Sequence, residues 1–169
     1  MNQILGISSL KEGKSVQAFP EFGPERSGAP VRGYTRISDS YIDDHSPIYN
    51  PDFVIVIDPT LVLTPDAYAG LKEEGVAIVN SAKSPDEIRK IGNLGGRKLF
   101  VVNARDISDK IFKTDRPIYN TAMLGALIKA LGFPKFESVQ SALADRFGGT
   151  LLESNVAAVK AGFDEVKSA

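Results

Sequence analysis

The middle of the chain alternates between apolar runs and stretches that carry helix-start signals. The β-branched run at residues 53–57 is typical of a parallel strand buried on both faces, and further strands are predicted at 76–80 and 98–103. A helix is predicted from the Thr64-Pro65 N-terminus to Gly75, a second opens at the Ser84-Pro-Asp-Glu87 capping box, and a third covers 106–112. This alternation predicts a three-layer, Rossmann-like α/β fold with a mostly parallel sheet flanked by helices.

The two ends of the chain follow other patterns, and the C-terminal part is predicted to be helical. The elements expected there are a helix at 1–10, strands at 15–19 and 30–38, and helices at 120–132, with Asn120 as cap, and at 136–147. A last helix carries an apolar stripe made of Leu152, Val156, Val159, Phe163 and Val166. The stripe can pack on the protein's own sheet or on a foreign subunit, and the sequence leaves both open.

Length and composition indicate one globular domain covering residues 1–169. Apolar residues make up 43% of the 169 residues and the net charge is -1, so nothing favours nucleic acid or an anionic membrane as a partner. The apolar runs are too short to span a bilayer, which makes a cytoplasmic location the default expectation. The chain has no cysteine, so thiolate ligation of an iron–sulphur cluster by this chain is excluded.

The loop between the first two predicted strands is stiffened by three prolines within residues 17–32. It presents Glu21, Glu25, Arg26 and Arg32. These four are either a surface ion-pair cluster or part of a preorganised loop that meets an anion or a partner subunit.

Polar residues also lie at the carboxyl ends of the predicted parallel strands, where α/β sheets bind ligands. They are Asp58, Asn80, Ser81 and Asn103, and a role as helix cap or turn residue is the slightly preferred explanation for each. The triplet at residues 43–45 (Asp-Asp-His) resembles a metal-binding sequence, but the chain has only one histidine, and an acidic loop is the preferred interpretation. No nucleophile elbow or metal-ligand cluster is present, so we predict no catalytic and no metal-binding residue.

The stretch from Ala18 to Arg32, AFPEFGPERSGAPVR, resembles the signature of gamma subunits of pyruvate:ferredoxin oxidoreductase (pyruvate synthase), within the 2-oxoacid:ferredoxin oxidoreductase gamma family. Further matches to that family are Arg36-Ile-Ser-Asp39, Asn50-Pro-Asp52, Asp58-Pro59, Val79-Asn-Ser81 and Asn120-Thr-Ala-Met-Leu-Gly-Ala126. The Glu-Arg-x-Gly-Ala-Pro form at residues 25–30 is typical of the pyruvate branch of the family.

This resemblance implies a complex that converts pyruvate and CoA to acetyl-CoA and CO2 and passes electrons to ferredoxin or flavodoxin. Thiamine diphosphate, Mg2+ and [4Fe–4S] clusters would lie on other subunits, named alpha, beta and delta (ferredoxin-like), and this chain would bind no cofactor alone. It would be a non-catalytic gamma subunit that supports assembly and the CoA-facing side of the active site. The residues expected to face CoA or a partner are Glu21, Glu25, Arg26, Ser27, Gly28, Arg32, Asn80, Ser81, Asn120 and Thr121.

Three alternatives remain at this point. The chain could be a free-standing nucleotide-binding α/β module, although it has no Gly-x-Gly-x-x-Gly run. It could play the same role in a complex for another 2-oxoacid, or be a structural subunit without CoA contact. Family members normally begin with a strand and a Gly-rich loop that are missing here, and we expect that the sequence is truncated at this end.

Overall fold

The computed structural model describes residues 1–21 and 31–169. The helices are α1 (Asn2–Lys11), α2 (Pro85–Ile91), α3 (Ala104–Ile111), α4 (Tyr119–Leu131), α5 (Phe136–Ala144) and α6 (Gly149–Glu165). The strands are β1 (Ser15–Pro20), β2 (Gly33–Ser38), β3 (Phe53–Val56), β4 (Val76–Asn80), β5 (Lys98–Val102) and β6 (Lys167–Ser168). Two short 3-10 helices, Pro59–Leu63 and Pro65–Tyr68, follow β3.

The main sheet has four strands in the order β3-β4-β5-β6. The first three are parallel, and β6 runs antiparallel to β5 at the opposite edge. All five residues of β4 are buried, as expected for a strand rich in β-branched residues at the centre of a covered parallel sheet.

Each face of the main sheet is covered by its own apolar core. Successive side chains of β4 point to opposite faces, so Ile78 joins the core built with α1 and α3 to α6, whereas Val79 joins the core built with α2 and the 3-10 helices. Helices therefore lie on both sides of a mostly parallel sheet. The predicted three-layer α/β class is confirmed, as is the helical C-terminal part.

A separate antiparallel hairpin is formed by β1 and β2, in a register that pairs Ser15 with Ser38 and Pro20 with Gly33. The hairpin packs on α1, where the Val16 side chain lies against Gly6. The extended segments predicted on either side of the proline-rich loop are thus the two strands of this hairpin.

Two expectations for the middle of the chain were wrong in detail. Among the described residues β3 is an edge strand of the sheet, so only Val56 of its four residues is buried, and the strand is not covered on both faces. The helix predicted to run from Thr64 to Gly75 is only a 3-10 helix ending at Tyr68. Thr64 provides no side-chain cap for a helix. Gly70 has φ +77, a left-handed backbone conformation that an α-helix cannot contain, at the point where the chain passes close to the Tyr49 carbonyl.

The C-terminal helices also differ from the sequence pattern. The buried positions of α6 are Asn155, Ala158, Val159 and Gly162 and they face α4, whereas Phe163 of the predicted stripe is 37% exposed. Only a glycine lets α6 approach α4 this closely: a Cβ on Gly162 would lie 1.9 Å from the Ala122 carbonyl oxygen. A count of apolar residues cannot reveal a contact made by glycine.

Candidate functional site

The two ends of the proline-rich loop are held together by the hairpin. The Glu21 N–H donates to the Arg32 carbonyl oxygen across 2.9 Å, which extends the ladder by one residue pair beyond β1 and β2. Both side chains are exposed. The other four predicted residues of this stretch, Glu25, Arg26, Ser27 and Gly28, lie outside the described residues.

Arg36 of β2 contacts both the other strand of the hairpin and the loop that follows β2. Its Nη1 donates to Gln17 Oε1 on β1 at 2.8 Å, and its Nη2 donates to the Ser46 carbonyl oxygen at 2.6 Å. The same guanidinium pairs with Asp44 at 3.3 Å and lies over the Phe19 ring, 5.9 Å from its centroid. Arg36 therefore ties the loop after β2 to the hairpin. Arg36 is not among the predicted site residues, although it belongs to the Arg36-Ile-Ser-Asp39 match.

The acidic triplet at residues 43–45 is part of the same contact. Hydrogen bonds from Ser46 hold the pKa of Asp44 below its usual value, and the nearby Arg36 charge lowers it further. His45 Nδ1 contacts the Gln17 side chain. Within residues 1–21 and 31–169, no group of three histidine, aspartate or glutamate side chains could hold a metal ion.

Asn80 and Ser81 lie at the carboxyl end of β4, where a ligand was predicted. The Asn80 side chain is 1% exposed and spans neighbouring elements: its Nδ2 donates to the Ile57 carbonyl at 2.8 Å, and its Oδ1 accepts from the Ala104 N–H at 3.0 Å. Ser81 Oγ accepts from the Lys83 N–H at 3.1 Å in a local turn. These contacts give both residues a structural role at the strand end.

Two other polar residues at strand ends, Asp58 and Asn103, are helix caps, which is one of the two roles expected for them. Asp58 accepts from the Thr60 N–H at 2.9 Å, and Asn103 accepts from the Asp106 N–H in the first turn of α3. Both bonds satisfy N–H groups at the start of helices.

Asn120 and Thr121 fall in the first turn of α4, and their surroundings differ. The expectation that Asn120 caps this helix was wrong, because α4 begins at Tyr119 and has no side-chain cap; Asn120 is exposed. The N–H of Ile118, just before the helix, instead donates to Ser108 Oγ at 2.7 Å. Thr121 is 7% exposed, and its hydroxyl donates to Asn155 Oδ1 of α6 at 2.8 Å. Of this pair, only Asn120 presents a side chain to the surface.

The predicted site residues therefore form three separate groups in the described part of the chain. Glu21 and Arg32 lie at the hairpin, Asn80 and Ser81 at the end of β4, and Asn120 and Thr121 at the start of α4. No hydrogen bond or ion pair between described residues joins one group to another.

None of the helices described is long and apolar enough to cross a membrane.

The fold and the hairpin define the class of protein: a Rossmann-like α/β domain with an antiparallel hairpin packed on α1. Comparison with known proteins gives the family. The sequence model of the family "Pyruvate ferredoxin/flavodoxin oxidoreductase" matches residues 1–165, and the chain belongs to this family.

Relatives and solved structures agree with that assignment. The chain is 47% identical to the "Pyruvate/ketoisovalerate oxidoreductases common subunit gamma" of Thermococcus kodakarensis, over 96% of this chain and 86% of the relative. It is 42% identical to the "Pyruvate synthase subunit PorC" of Thermotoga maritima, over 98% of this chain and 86% of the relative. The crystal structure of pyruvate oxidoreductase subunit PORC from that organism superimposes with a TM-score of 0.86, covering 99% of this chain and 89% of that one.

These findings confirm the family resemblance found in residues 18–32 and the expected role as an oxidoreductase subunit. They do not favour a free-standing nucleotide-binding module.

Proposed function

We propose that this chain is the gamma subunit of a pyruvate:ferredoxin oxidoreductase complex and works in the cytoplasm. In this role it supports assembly and the CoA-facing side of the active site, while the reaction converts pyruvate and CoA to acetyl-CoA and CO2 and reduces ferredoxin or flavodoxin. The observation that carries the proposal is the family match over residues 1–165. It is supported by gamma and PorC relatives that align over nearly the whole chain.

The redox chemistry is assigned to other subunits. Iron–sulphur clusters are bound by cysteine thiolates, and this chain has none, so its residues do not fit such a cluster. Thiamine diphosphate with Mg2+ would supply the carbon–carbon bond cleavage on the alpha and beta subunits, and a delta subunit resembling ferredoxin would carry clusters. The protein groups contributed by this chain would help to bind and orient CoA.

Within this proposal the proline-rich loop faces CoA. CoA carries several phosphate charges, and a guanidinium is well suited to bind phosphate through charge-assisted, bidentate hydrogen bonds. The Glu21–Arg32 backbone bond and the Arg36 contacts fix both strands from which this loop departs. That arrangement fixes the two residues from which the loop departs, and the two arginines of the stretch are Arg26 and Arg32.

The test is reconstitution of the enzyme from its separately produced subunits, with and without this chain, followed by CoA-dependent pyruvate oxidation. Arg26→Ala should raise the apparent KM for CoA by roughly tenfold or more, because the loss of a charge-assisted hydrogen bond costs about 1.5–3 kcal/mol. Arg105→Ala is the matched control, since Arg105 is an exposed arginine of α3 that pairs with Asp109 in the next turn of the same helix.

Two results would contradict the proposal in different ways. Full activity without this chain would remove the subunit role. Equal KM values for Arg26→Ala and Arg105→Ala would remove Arg26 from the CoA site and leave the subunit role intact.

A second candidate substrate is favoured by one observation. The Thermococcus kodakarensis relative is described as common to pyruvate and ketoisovalerate oxidoreductases. The same subunit role in a complex for a branched 2-oxoacid is therefore the alternative, and assays of the reconstituted enzyme with pyruvate and with 2-ketoisovalerate distinguish the two.

A further inference from the structure

The loop after β2 contacts the hairpin through a glutamine whose amide orientation is fixed. Arg36 Nη1 donates to Gln17 Oε1 at 2.8 Å, and a guanidinium has only donors, so the amide oxygen of Gln17 has to lie on the Arg36 side. The amide nitrogen of Gln17 then faces the loop, where it contacts His45 Nδ1. Because the Gln17 NH2 group can only donate, His45 Nδ1 has to accept.

This contact is possible only for the neutral imidazole of His45. Nδ1 accepts when the ring carries its single proton on Nε2, whereas a protonated imidazole has an N–H on both nitrogens. Two donors would then face each other, and the Gln17 amide cannot turn round without losing the hydrogen bond from Arg36. Protonation therefore breaks the contact. His45 is the only histidine of the chain, so no other imidazole can respond in its place.

The titratable and charged groups of the loop itself do not decide whether the loop stays bound. Tyr41, Asp43 and Asp44 lie on the same loop as His45. They accompany the imidazole whether the loop is bound or released, so the attraction of Asp44 for an imidazolium is present in both states. Only groups on the elements that the loop packs on can favour one state over the other.

The decisive charge on those elements is that of Arg36. The loop residues Tyr41, Ile42 and His45 line a pocket of about 340 Å3 together with Leu10 of α1 and Ser15, Val16 and Gln17 of β1. Next to these lining residues, Lys11 pairs with Asp145 of α5, Lys14 pairs with Asp39, and Glu12 accepts from the Lys135 N–H. Arg36 instead reaches into the loop, where its Nη2 donates to the Ser46 carbonyl oxygen at 2.6 Å. Its charge opposes an imidazolium only while the loop is bound.

We propose that His45, Gln17 and Arg36 form a pH-sensitive contact, which holds residues 41–46 on the hairpin while the imidazole is neutral and releases them when it takes a proton. Because the bound loop requires the unprotonated ring, binding of the loop is strongest at high pH and weakens as the pH falls through the titration of His45. The inference does not depend on the proposed function, because it concerns the chain alone.

The first test is an NMR titration of the full chain from about pH 8 to about pH 5.5, the range in which imidazoles most often change charge. The Gln17 side-chain NH2 resonances should move with the same midpoint as the ring resonances of His45. Amide protection factors at residues 41–46, which are corrected for the intrinsic pH dependence of exchange, should fall by about fivefold over that midpoint, as expected for the loss of one hydrogen bond. A His45 ring that titrates while Gln17 and these amides stay unchanged would overturn the proposal.

The second test uses a matched pair of variants. His45→Asn offers an uncharged acceptor oxygen at every pH, so the loop should stay bound and its protection should no longer depend on pH. Gln17→Glu still accepts from Arg36 but replaces the amide donor by a second acceptor, which a protonated imidazole can bond. The pH dependence should therefore reverse in Gln17→Glu, with the loop bound more strongly at low pH.

The variants separate the imidazole from the carboxylates of the loop. Loss of the pH response in His45→Asn together with its reversal in Gln17→Glu supports the proposal. A response that persists in His45→Asn would assign the pH dependence to Asp43 or Asp44 and overturn it. A response of unchanged direction in Gln17→Glu would do the same, because the donor and acceptor roles at Gln17 would then not control the loop.

Discussion

The close crossing of α4 and α6 gives the sharpest prediction of stability. A Cβ built on Gly162 would lie 1.9 Å from the Ala122 carbonyl oxygen and 2.7 Å from its carbon, whereas contacts below 3.0 Å are essentially never seen for a Cβ. Because the obstacle is helix backbone, Gly162→Ala must push the two helices apart by roughly 1 Å or more to restore an ordinary van der Waals contact.

The expected cost follows from three effects. Overpacking a well-packed core costs about 1–3 kcal/mol, and separating the helices stretches the buried Thr121–Asn155 hydrogen bond, worth about 1 kcal/mol. Replacing glycine by alanine within a helix returns up to about 1 kcal/mol of helix propensity. We therefore expect Gly162→Ala to lower the free energy of unfolding by about 2 kcal/mol, which for a chain of this size is a fall in Tm of roughly 4–8 °C.

The assay is equilibrium urea unfolding of the full chain, with the Tm as a second measure. Gly96→Ala is the control, because a Cβ there would meet no atom within 4 Å, and its effect should stay within about 0.5 kcal/mol. If Gly162→Ala is as stable as Gly96→Ala, the close packing of α4 on α6 described above is wrong.

Three further predictions concern the strand end, the hairpin and a helix start. Asn80→Ala should cost about 2–3 kcal/mol in urea unfolding, because it leaves the buried partners of both amide atoms unpaired; unchanged stability with weakened CoA binding would instead assign Asn80 to the ligand. Arg36→Ala should free the loop after β2, seen as faster amide exchange at Ser46, and an unchanged rate would show that Arg36 does not hold the loop. Hydrogen bonds from Ser84 lower the pKa of Glu87 in the folded chain. The stabilisation that ionised Glu87 contributes is therefore complete above the pKa of Glu87 in the unfolded chain, and it is lost as the pH falls through the lower pKa of Glu87 in the folded chain. Urea midpoints measured from neutral to acid pH should fall further for the natural chain than for Glu87→Gln, and identical falls would contradict this role.

The fold could be predicted because its signals are local. The capping box at residues 84–87 is present as predicted, and β4 occupies the predicted residues 76–80. Gly132, predicted to end α4, has φ +67, which is the left-handed conformation that favours glycine at a helix end. Each of these features depends on a few neighbouring residues, so the sequence alone contains it.

The errors arose where distant residues decide the outcome. Burial of the run at residues 53–57 depends on what pairs beside it, and β3 is an edge strand among the described residues. The face of α6 is chosen by Gly125 and Gly162, which permit a backbone contact that no apolar pattern records.

The candidate site shows the same division. Asn80 is a predicted site residue because it ends a strand, but its hydrogen bonds to Ile57 and Ala104 are long-range contacts that its position along the chain does not reveal. Arg36 was present in a family match, and only the folded hairpin shows that it joins Gln17 to the Ser46 carbonyl. Sequence thus locates the polar residues, and the packing around them determines which are structural.

The most direct test of the central claim is anaerobic purification of the natural full-length protein from its own cells, followed by native mass spectrometry and assays for iron, thiamine and CoA-dependent pyruvate oxidation. We predict a stoichiometric assembly with chains that carry iron–sulphur clusters and thiamine diphosphate, and pyruvate oxidation that requires CoA. A chain that purifies alone, without iron, thiamine or this activity, would contradict the assignment as a gamma subunit.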